Sequence, residues 1–407
     1  MHSYAAQLGN NPSLSVAELA AVLPDFQKEH LFPGSVVTFK TATELDQAFL
    51  NRLGGTIVIA KNIIGDFSVD LEDLPALLAA ELKTVKGKAT FSLRCFGISP
   101  NKVRDLYKTS KQGLKKKGVA SRYVGSEREM AKPIQLHDEG ILDPKKGCEL
   151  VILHDKNHLW IGRTVAAQNV KAYTLRDMEK PVRDTKVGLL PPKLAQILLN
   201  FGAFLSPRGS KTRSESQNFT VLDPFCGTGV IPMEAMIAGW NVLASDNAQK
   251  AVNGTEKNIE WVRKIFKVLK KDVSADVWKQ DATKPFELKE KPDVIVTEGT
   301  LGPPLTNRAT VKDAETYCRQ AEELTAAFLK NCAATLPGVP VVMTLPVWYA
   351  QKKMIHLTKV WKVAEELGFR PALPPHADPS IPERFSIMYR RNDQFVGREI
   401  ILLKPKK

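Results

Sequence analysis

Eleven residues in the C-terminal half constrain the fold of this chain more than any other stretch. Phe219-Thr220-Val221-Leu222 is a short apolar strand, and it runs directly into Asp223-Pro224-Phe225-Cys226-Gly227-Thr228-Gly229. An apolar helix follows, with Ile231, Met233, Ala235, Met236 and Ile237. A strand, a tight Gly-x-Gly turn and a helix bring backbone close to a ligand at the strand's C-terminal edge. Pro232 stands where a dinucleotide fingerprint has its third glycine, and the turn opens with an acid. A carboxylate there repels a pyrophosphate but suits the ammonium of an amino-acid-bearing cofactor. S-adenosylmethionine carries that ammonium and a sulfonium as well. The cofactor-contacting residues expected of this turn are Asp223, Phe225, Gly227 and Gly229.

The strands that follow extend the pattern. Asn241-Val242-Leu243-Ala244-Ser245 ends in Asp246, 23 residues after Asp223, where an acid can accept both hydroxyls of a ribose. Trp278-Lys279-Gln280 leads to Asp281-Ala282, the place for a contact to an adenine amine. Either aspartate taken singly reads as a turn or cap residue; in register with the glycine turn they read as ligand contacts. The alternation of strands and helices from about residue 186 onward is that of a doubly wound parallel sheet. Residues 191–204 read as a helix of the same domain, and the polar stretch 207–218 reads as an exposed loop.

The chain has 407 residues, more than one ordinary domain uses. Its five cysteines (Cys95, Cys148, Cys226, Cys318, Cys332) include no C-x-x-C pair, and its histidines, His2 and His30 among them, show no ligand spacing. Neither a disulfide framework nor a metal site is expected. No apolar run approaches a membrane span and no signal sequence is visible, so a cytoplasmic protein is expected. The formal charge of +14 favours polyanions, of which nucleic acid is the commonest.

Half of that excess sits in residues 101–135, where ten lysines and arginines face three acids. Residues 103–117 read as a helix with Val103, Leu106, Tyr107 and Leu114 inward and its basic side chains outward. Lys108, Lys111, Lys115, Lys116, Lys117 and, beyond the helix, Arg122 are the candidate RNA contacts. Such a face either follows a phosphate backbone or is simply solvated. Segments 134–142, 149–153 and 158–162 read as closing strands. The first sixty residues alternate helix (11–21 and 45–53) with strand (36–39 and 56–60).

A fourth strand, Asp293-Val294-Ile295-Val296, leads to Thr297-Glu298-Gly299-Thr300-Leu301-Gly302-Pro303-Pro304. The order of segments resembles the amino-methyltransferases, whose fourth strand ends in Asp/Asn-Pro-Pro-Tyr/Phe. Gly162-Arg163 through Tyr173, Arg176-Asp177 and Gly188-Leu189-Leu190-Pro191-Pro192-Lys193-Leu194-Ala195 resemble more narrowly the THUMP-containing tRNA guanosine-N2 methyltransferases that act at position ten. Leu8-Gly9-Asn10-Asn11-Pro12 and Leu53-Gly54-Gly55-Thr56 extend the likeness over most of the chain. The resemblance implies a ferredoxin-like unit over 1–62, a THUMP-like α/β RNA-binding domain over 63–168 and a Rossmann-like class I methyltransferase domain over 169–407. It implies tRNA as partner and S-adenosyl-L-methionine as cofactor. The target nucleotide, the number of methyl groups and any need for a small activating subunit stay open.

The catalytic motif departs from the family pattern. Glu298 takes the acid's place, Gly299 and Thr300 replace the prolines, and Leu301 replaces the aromatic. In the family the acid and the next carbonyl accept hydrogen bonds from the target amine, so Glu298, Gly299 and Thr300 are the catalytic candidates. Glutamate adds one methylene, roughly 1.5 Å of reach, and a misplacement near 1 Å costs on the order of a hundredfold in rate. Losing the aromatic removes about 1–3 kcal/mol of base stacking. Three readings remain open from sequence: a tRNA methyltransferase, an RNA-binding protein whose methyltransferase domain is degenerate, and an amino-methyltransferase acting on adenine in DNA. Trp348-Tyr349 offers aromatic surface for a base, or core.

Overall fold

The protein is described from a computed structural model, covering all residues except 66–68, 127–128, 157, 185–189, 210–217, 306, 352, 392–393 and 407. Gly188 and Leu189, and most of the expected 207–218 loop, lie outside the described residues. The chain divides into two units, one of residues 1–16 and 25–174, the other of 17–24 and 175–407.

The first unit begins β1 (His2–Leu8), α1 (Pro12–Val22, crossing the division), β2 (Gln27–Phe32), β3 (Val36–Thr41), α2 (Gln47–Leu50) and β4 (Thr56–Asn62). Their order in the sheet is β2-β3-β1-β4, antiparallel throughout, which is the ferredoxin-like arrangement. The unit continues with α3 (Leu74–Glu81), β5 (Ala89–Phe96), α4 (Pro100–Lys116), β6 (Ser121–Tyr123), α5 (Pro133–Asp138), β7 (Gly147–His154) and β8 (Leu159–Ala167). β4 pairs with β8, so among the described residues eight strands form one sheet, β2-β3-β1-β4-β8-β7-β5-β6. The boundary expected at residue 62 thus falls inside a continuous sheet. Residues 134–138, read as strand, form α5 instead, because Pro133 at its first turn presets φ and Lys132 and Gln135 close the helix start.

In α4, Ser99 caps the amide of Lys102, and Leu106, Ser110 and Leu114 are buried. Lys108, Lys111, Lys115, Lys116 and Lys117 are exposed. Lys111 lies over the Tyr107 ring at 5.9 Å, and Arg122 pairs with Glu139. Arg94 on β5 is buried, donating to Glu149 (3.1 Å), to Gln7 (3.0 Å) and to the Ala131 carbonyl. Glu149 also accepts from Thr164 at 2.6 Å, so one charged network crosslinks β1, β5, β7 and β8. The histidines, which show no ligand spacing in sequence, are partly gathered by the fold: His30 and His158 both meet Asp155.

The second unit contains α6 (Val170–Met178, crossing the division), α7 (Pro192–Leu205), β9 (Thr220–Asp223), α8 (Val230–Ile237), β10 (Asn241–Asp246), α9 (Gln249–Phe266), β11 (Ala275–Lys279), β12 (Val294–Glu298) and α10 (Val311–Thr335). It ends with β13 (Val341–Ala350), β14 (Lys353–His356), α11 (Lys359–Glu366), β15 (Phe369–Pro371), β16 (Ile387–Tyr389) and β17 (Val396–Pro405). The sheet order is β11-β10-β9-β12-β13-β17-β15. The first five strands are parallel, and β17 runs antiparallel between β13 and β15. This is the Rossmann-like class I arrangement. The order of strands reverses between β9 and β12, and ligands of such sheets bind beyond the carboxyl ends of the strands at that reversal.

Replacing Glu149 by Gln leaves the Arg94 guanidinium without its buried counter-charge. Removal of one partner from such a pair costs about 3–5 kcal/mol. Urea unfolding followed by circular dichroism should show the loss; an unchanged midpoint would mean that the pair does not hold the first sheet together.

Candidate active site

At the carboxyl ends of β9, β10 and β12 lies a cavity of about 380 Å³, lined by Asp223, Phe225, Gly227, Asp246, Glu298, Gly299, Thr300 and Leu301 among others. Seven of the ten candidate catalytic and cofactor residues are therefore brought together. Register explains why: Asp223 pairs with Ala244, two residues before Asp246, and Ile295 pairs with Leu222. Three acids separated along the chain thereby end on one edge.

Asp223 is buried, with its Oδ1 accepting the Thr297 hydroxyl at 2.6 Å and the Phe225 amide at 3.3 Å. Burial pushes its carboxyl up to about 7; the two hydrogen bonds oppose this, and the charges of Asp246 and Glu298 add to it. Asp246 is held by backbone, its Oδ2 accepting the Gly227 amide at 3.0 Å and its Oδ1 the Ala248 amide at 2.9 Å. The turn between them needs its glycines. Gly227 and Gly229 have φ of +53° and +82°. A side chain at Gly229 would also meet Thr255 Cγ2 at 2.8 Å, while the space beside Gly227 is open.

Glu298 ends β12, and its Oε1 accepts from Arg398 Nε at 2.5 Å. Arg398 is 1% exposed on β17. Burial raises the Glu298 carboxyl above its ordinary range, and the Arg398 charge and hydrogen bond oppose that rise. In the loop beyond, the Thr300 hydroxyl accepts the Gly302 amide at 3.2 Å, closing a turn where the family has prolines. Arg398 was not legible in sequence, being 100 residues from its partner in a strand of ordinary composition. Arg183, Asp184 and Lys250 also line the cavity, with Lys250 and Asp184 3.9 Å apart; they carry no motif.

Three expected contacts, Gly229, Asp281 and Ala282, are not among the lining residues. The Asp281 carboxylate accepts the Thr283 amide (2.9 Å) and hydroxyl (2.7 Å), and these bonds hold its acidity below the ordinary carboxylate range. Ala282 is buried, with its carbonyl accepting Asn331 Nδ2 at 2.9 Å. Gly229 is the N-cap of α8. Trp348 is core, at 0% exposure, and the Arg390 guanidinium lies 3.7 Å from the centre of the Tyr349 ring.

A convergent set of carboxylates beside open backbone suits a ligand that presents a cation and hydroxyl groups. No family model matches the chain. Its sequence is similar to the tRNA (guanine(10)-N2)-dimethyltransferase of Methanothermobacter thermautotrophicus, 29% identical over 161 residues. The resemblance read from the motifs holds. The match takes in 39% of this chain and 39% of that protein, so it spans about two fifths of the relative's length. Among solved structures, TrmN from Thermus thermophilus matches over 100% of both chains, at 16% identity and a TM-score of 0.50. The likeness to TrmN is one of fold.

Gly229→Ala should destabilise the second unit by more than the about 1–2 kcal/mol of a left-handed alanine, because Thr255 must also move. Gly227→Ala carries the backbone cost alone. Urea titration of the two variants checks the order, and a reversed ranking would count against this packing of the turn.

Proposed function

We propose that the chain transfers a methyl group from S-adenosylmethionine to the exocyclic amine of a guanosine in tRNA. The observation that carries this reading is the placing of Asp223, Asp246 and Glu298 around one cavity at the sheet's reversal point. The sequence likeness to a tRNA guanine-N2 dimethyltransferase supports that substrate class.

The donor set fits the cofactor. Asp223 is a buried carboxylate for which a cationic ligand is the natural counter-charge. Asp246, fixed by two amides, keeps lone pairs for vicinal hydroxyls. The open space at Gly227 admits a ligand against the backbone. When bound, S-adenosylmethionine supplies a sulfonium-activated methyl.

The chain's own part is positioning and acceptance. Arg398 engages Glu298 Oε1 and fixes the carboxylate; Oε2 is then the acceptor offered to an N–H of the guanine amine. Such a bond draws the nitrogen toward tetrahedral geometry and frees its lone pair for in-line attack. The Gly299 carbonyl side of the loop takes the second N–H. No strongly basic group is needed, since catalysis by orientation supplies most of the rate. The exposed lysines of α4 (Lys108, Lys111, Lys115, Lys116), its C-cap Lys117 and Arg122 contribute counter-charge for the tRNA backbone, and a guanosine is extruded for reaction.

Mass spectrometry of tRNA nucleosides, after incubation with protein and cofactor, should show N2-methylated guanosine. Glu298→Ala should lower turnover by on the order of a hundredfold or more while cofactor affinity is kept. Bound cofactor without methylated guanosine on any tRNA would overturn the assignment.

The pH dependence has a definite sign. A folded-state acidity of about 7 for Asp223, against an ordinary 3.8, means that the folded chain keeps a proton the unfolded chain releases. The stability this gives is present at low pH and is lost as pH rises toward 7. A ligand ammonium needs the anion, so affinity runs the other way and tightens by about tenfold between pH 6 and 8. Calorimetry across that range should show the slope, and Asp223→Asn should abolish it; a flat wild-type profile would remove Asp223 from ammonium binding.

A further inference from the structure

We propose that His30, Asp155 and His158 form a binding site for a divalent transition-metal ion of the zinc type, in the first unit. The three residues offer one ligand atom each, all within 4.8 Å of one another. His30 Nε2 lies 2.5 Å from Asp155 Oδ2, and His158 Nδ1 lies 3.1 Å from Asp155 Oδ1. The imidazoles stack with centroids 4.7 Å apart and planes at 27°, so both present a nitrogen to one carboxylate.

The fold builds this arrangement deliberately enough to hold an ion. Asp155 and His158 flank the corner joining β7 to β8. The corner is closed by the Asp155 amide donating to the His158 carbonyl at 3.0 Å, and by the His158 amide donating to Asp155 Oδ1 at 3.0 Å. These bonds fix the spacing of two ligands three residues apart. The third comes from β2, 125 residues earlier, with the Phe32 ring packed edge-on against His30 at 4.5 Å. Side-chain exposures of 36%, 23% and 58% for His30, Asp155 and His158 leave a path for an ion and for a water as fourth ligand.

Chemistry selects the ion. Two neutral imidazoles and one carboxylate are the borderline donor set that zinc takes in open, three-ligand sites. Zinc holds nitrogen and carboxylate oxygen at about 2.0–2.2 Å, which sets neighbouring ligand atoms about 3.3 Å apart in a tetrahedron. The two short separations run to different oxygens of Asp155; with one oxygen as ligand all three atoms lie within 4.8 Å of one another, so an ion need draw them together by about 1.5 Å at most. A metal here would clip the edge strand β2 to the β7–β8 corner, closing a long loop of chain.

The test uses the untagged full-length protein, stripped with chelator and titrated with Zn²⁺ alone by calorimetry. Co²⁺ substitution is read by its visible d–d absorption. One equivalent of Zn²⁺ should bind, tetrahedral Co²⁺ bands should appear, and the melting temperature should rise with added zinc. His158→Ala and His30→Ala should each weaken binding at least tenfold, and Asp155→Asn, nearly isosteric and uncharged, should do the same with the fold intact by circular dichroism. Absence of a one-to-one zinc event in the wild-type chain overturns the proposal, and so does equal affinity in the three variants. Cofactor binding and methyl transfer are measured separately, so their success or failure does not bear on this site.

Discussion

The hydroxyl of Thr297 donates to Asp223 at 2.6 Å, joining the ends of β9 and β12 where the order of strands reverses. Much of the second unit depends on that junction. A carboxylate buried there is costly in its charged form, and it is tolerable because it is hydrogen-bonded and can hold its proton until a cation arrives. The acidity raised to about 7 is the measure of that compromise. Asp246 solves the same problem differently, spending its oxygens on the amides of the glycine turn. One acid is dry and the other is wired to backbone, so each suits a different part of a ligand.

The altered fourth-strand motif makes physical sense once β17 is considered. Glutamate in place of aspartate or asparagine adds a methylene and with it rotational freedom. Arg398, buried on a strand two places away in the sheet order from β12, removes that freedom by gripping Oε1. The Thr300 hydroxyl closes the following turn, work that a proline pair does through fixed φ. Leu301 lines the cavity where an aromatic would stand, and neither Trp348 nor Tyr349 replaces it, since one is core and the other is covered by Arg390. Stacking on a base is thus the feature without a substitute among these residues.

The parts legible in sequence were those with local causes. β9, the glycine turn and α8 were readable because strand, φ-permissive turn and apolar helix follow within twenty residues. Asp223, Asp246 and Glu298 could be placed together because a parallel sheet delivers successive strand ends to one edge. β1 and β2 were not readable: His2–Leu8 is short and alanine-rich, and Gln27–Phe32 is an edge strand of mostly polar, exposed residues. Pairing, rather than pattern, makes them strands. Asp281 fell on the right edge, yet its own Thr283 competes for the carboxylate, a local bond that register cannot foresee. Arg398, and the meeting of His30 with Asp155, depend on contacts 100 and 125 residues apart, for which sequence carries no periodic signal.

Charge is divided within the chain in a way that bears on its chemistry. The cavity is edged by four acids, Asp184, Asp223, Asp246 and Glu298, against Arg183 and Lys250, so the net charge of +14 does not come from the site. A large part comes from residues 101–135, where α4 buries Leu106, Ser110 and Leu114 and leaves its lysines in water. An acidic cavity attracts a cationic cofactor but repels a phosphate backbone, and a basic helix face does the reverse. A single surface cannot serve both ligands at short range, because fields of opposite sign cancel within about 8 Å at physiological salt. Under the proposed function the acids of the second unit serve the cofactor and the basic stretch of the first serves the RNA, each field set by its own stretch of chain.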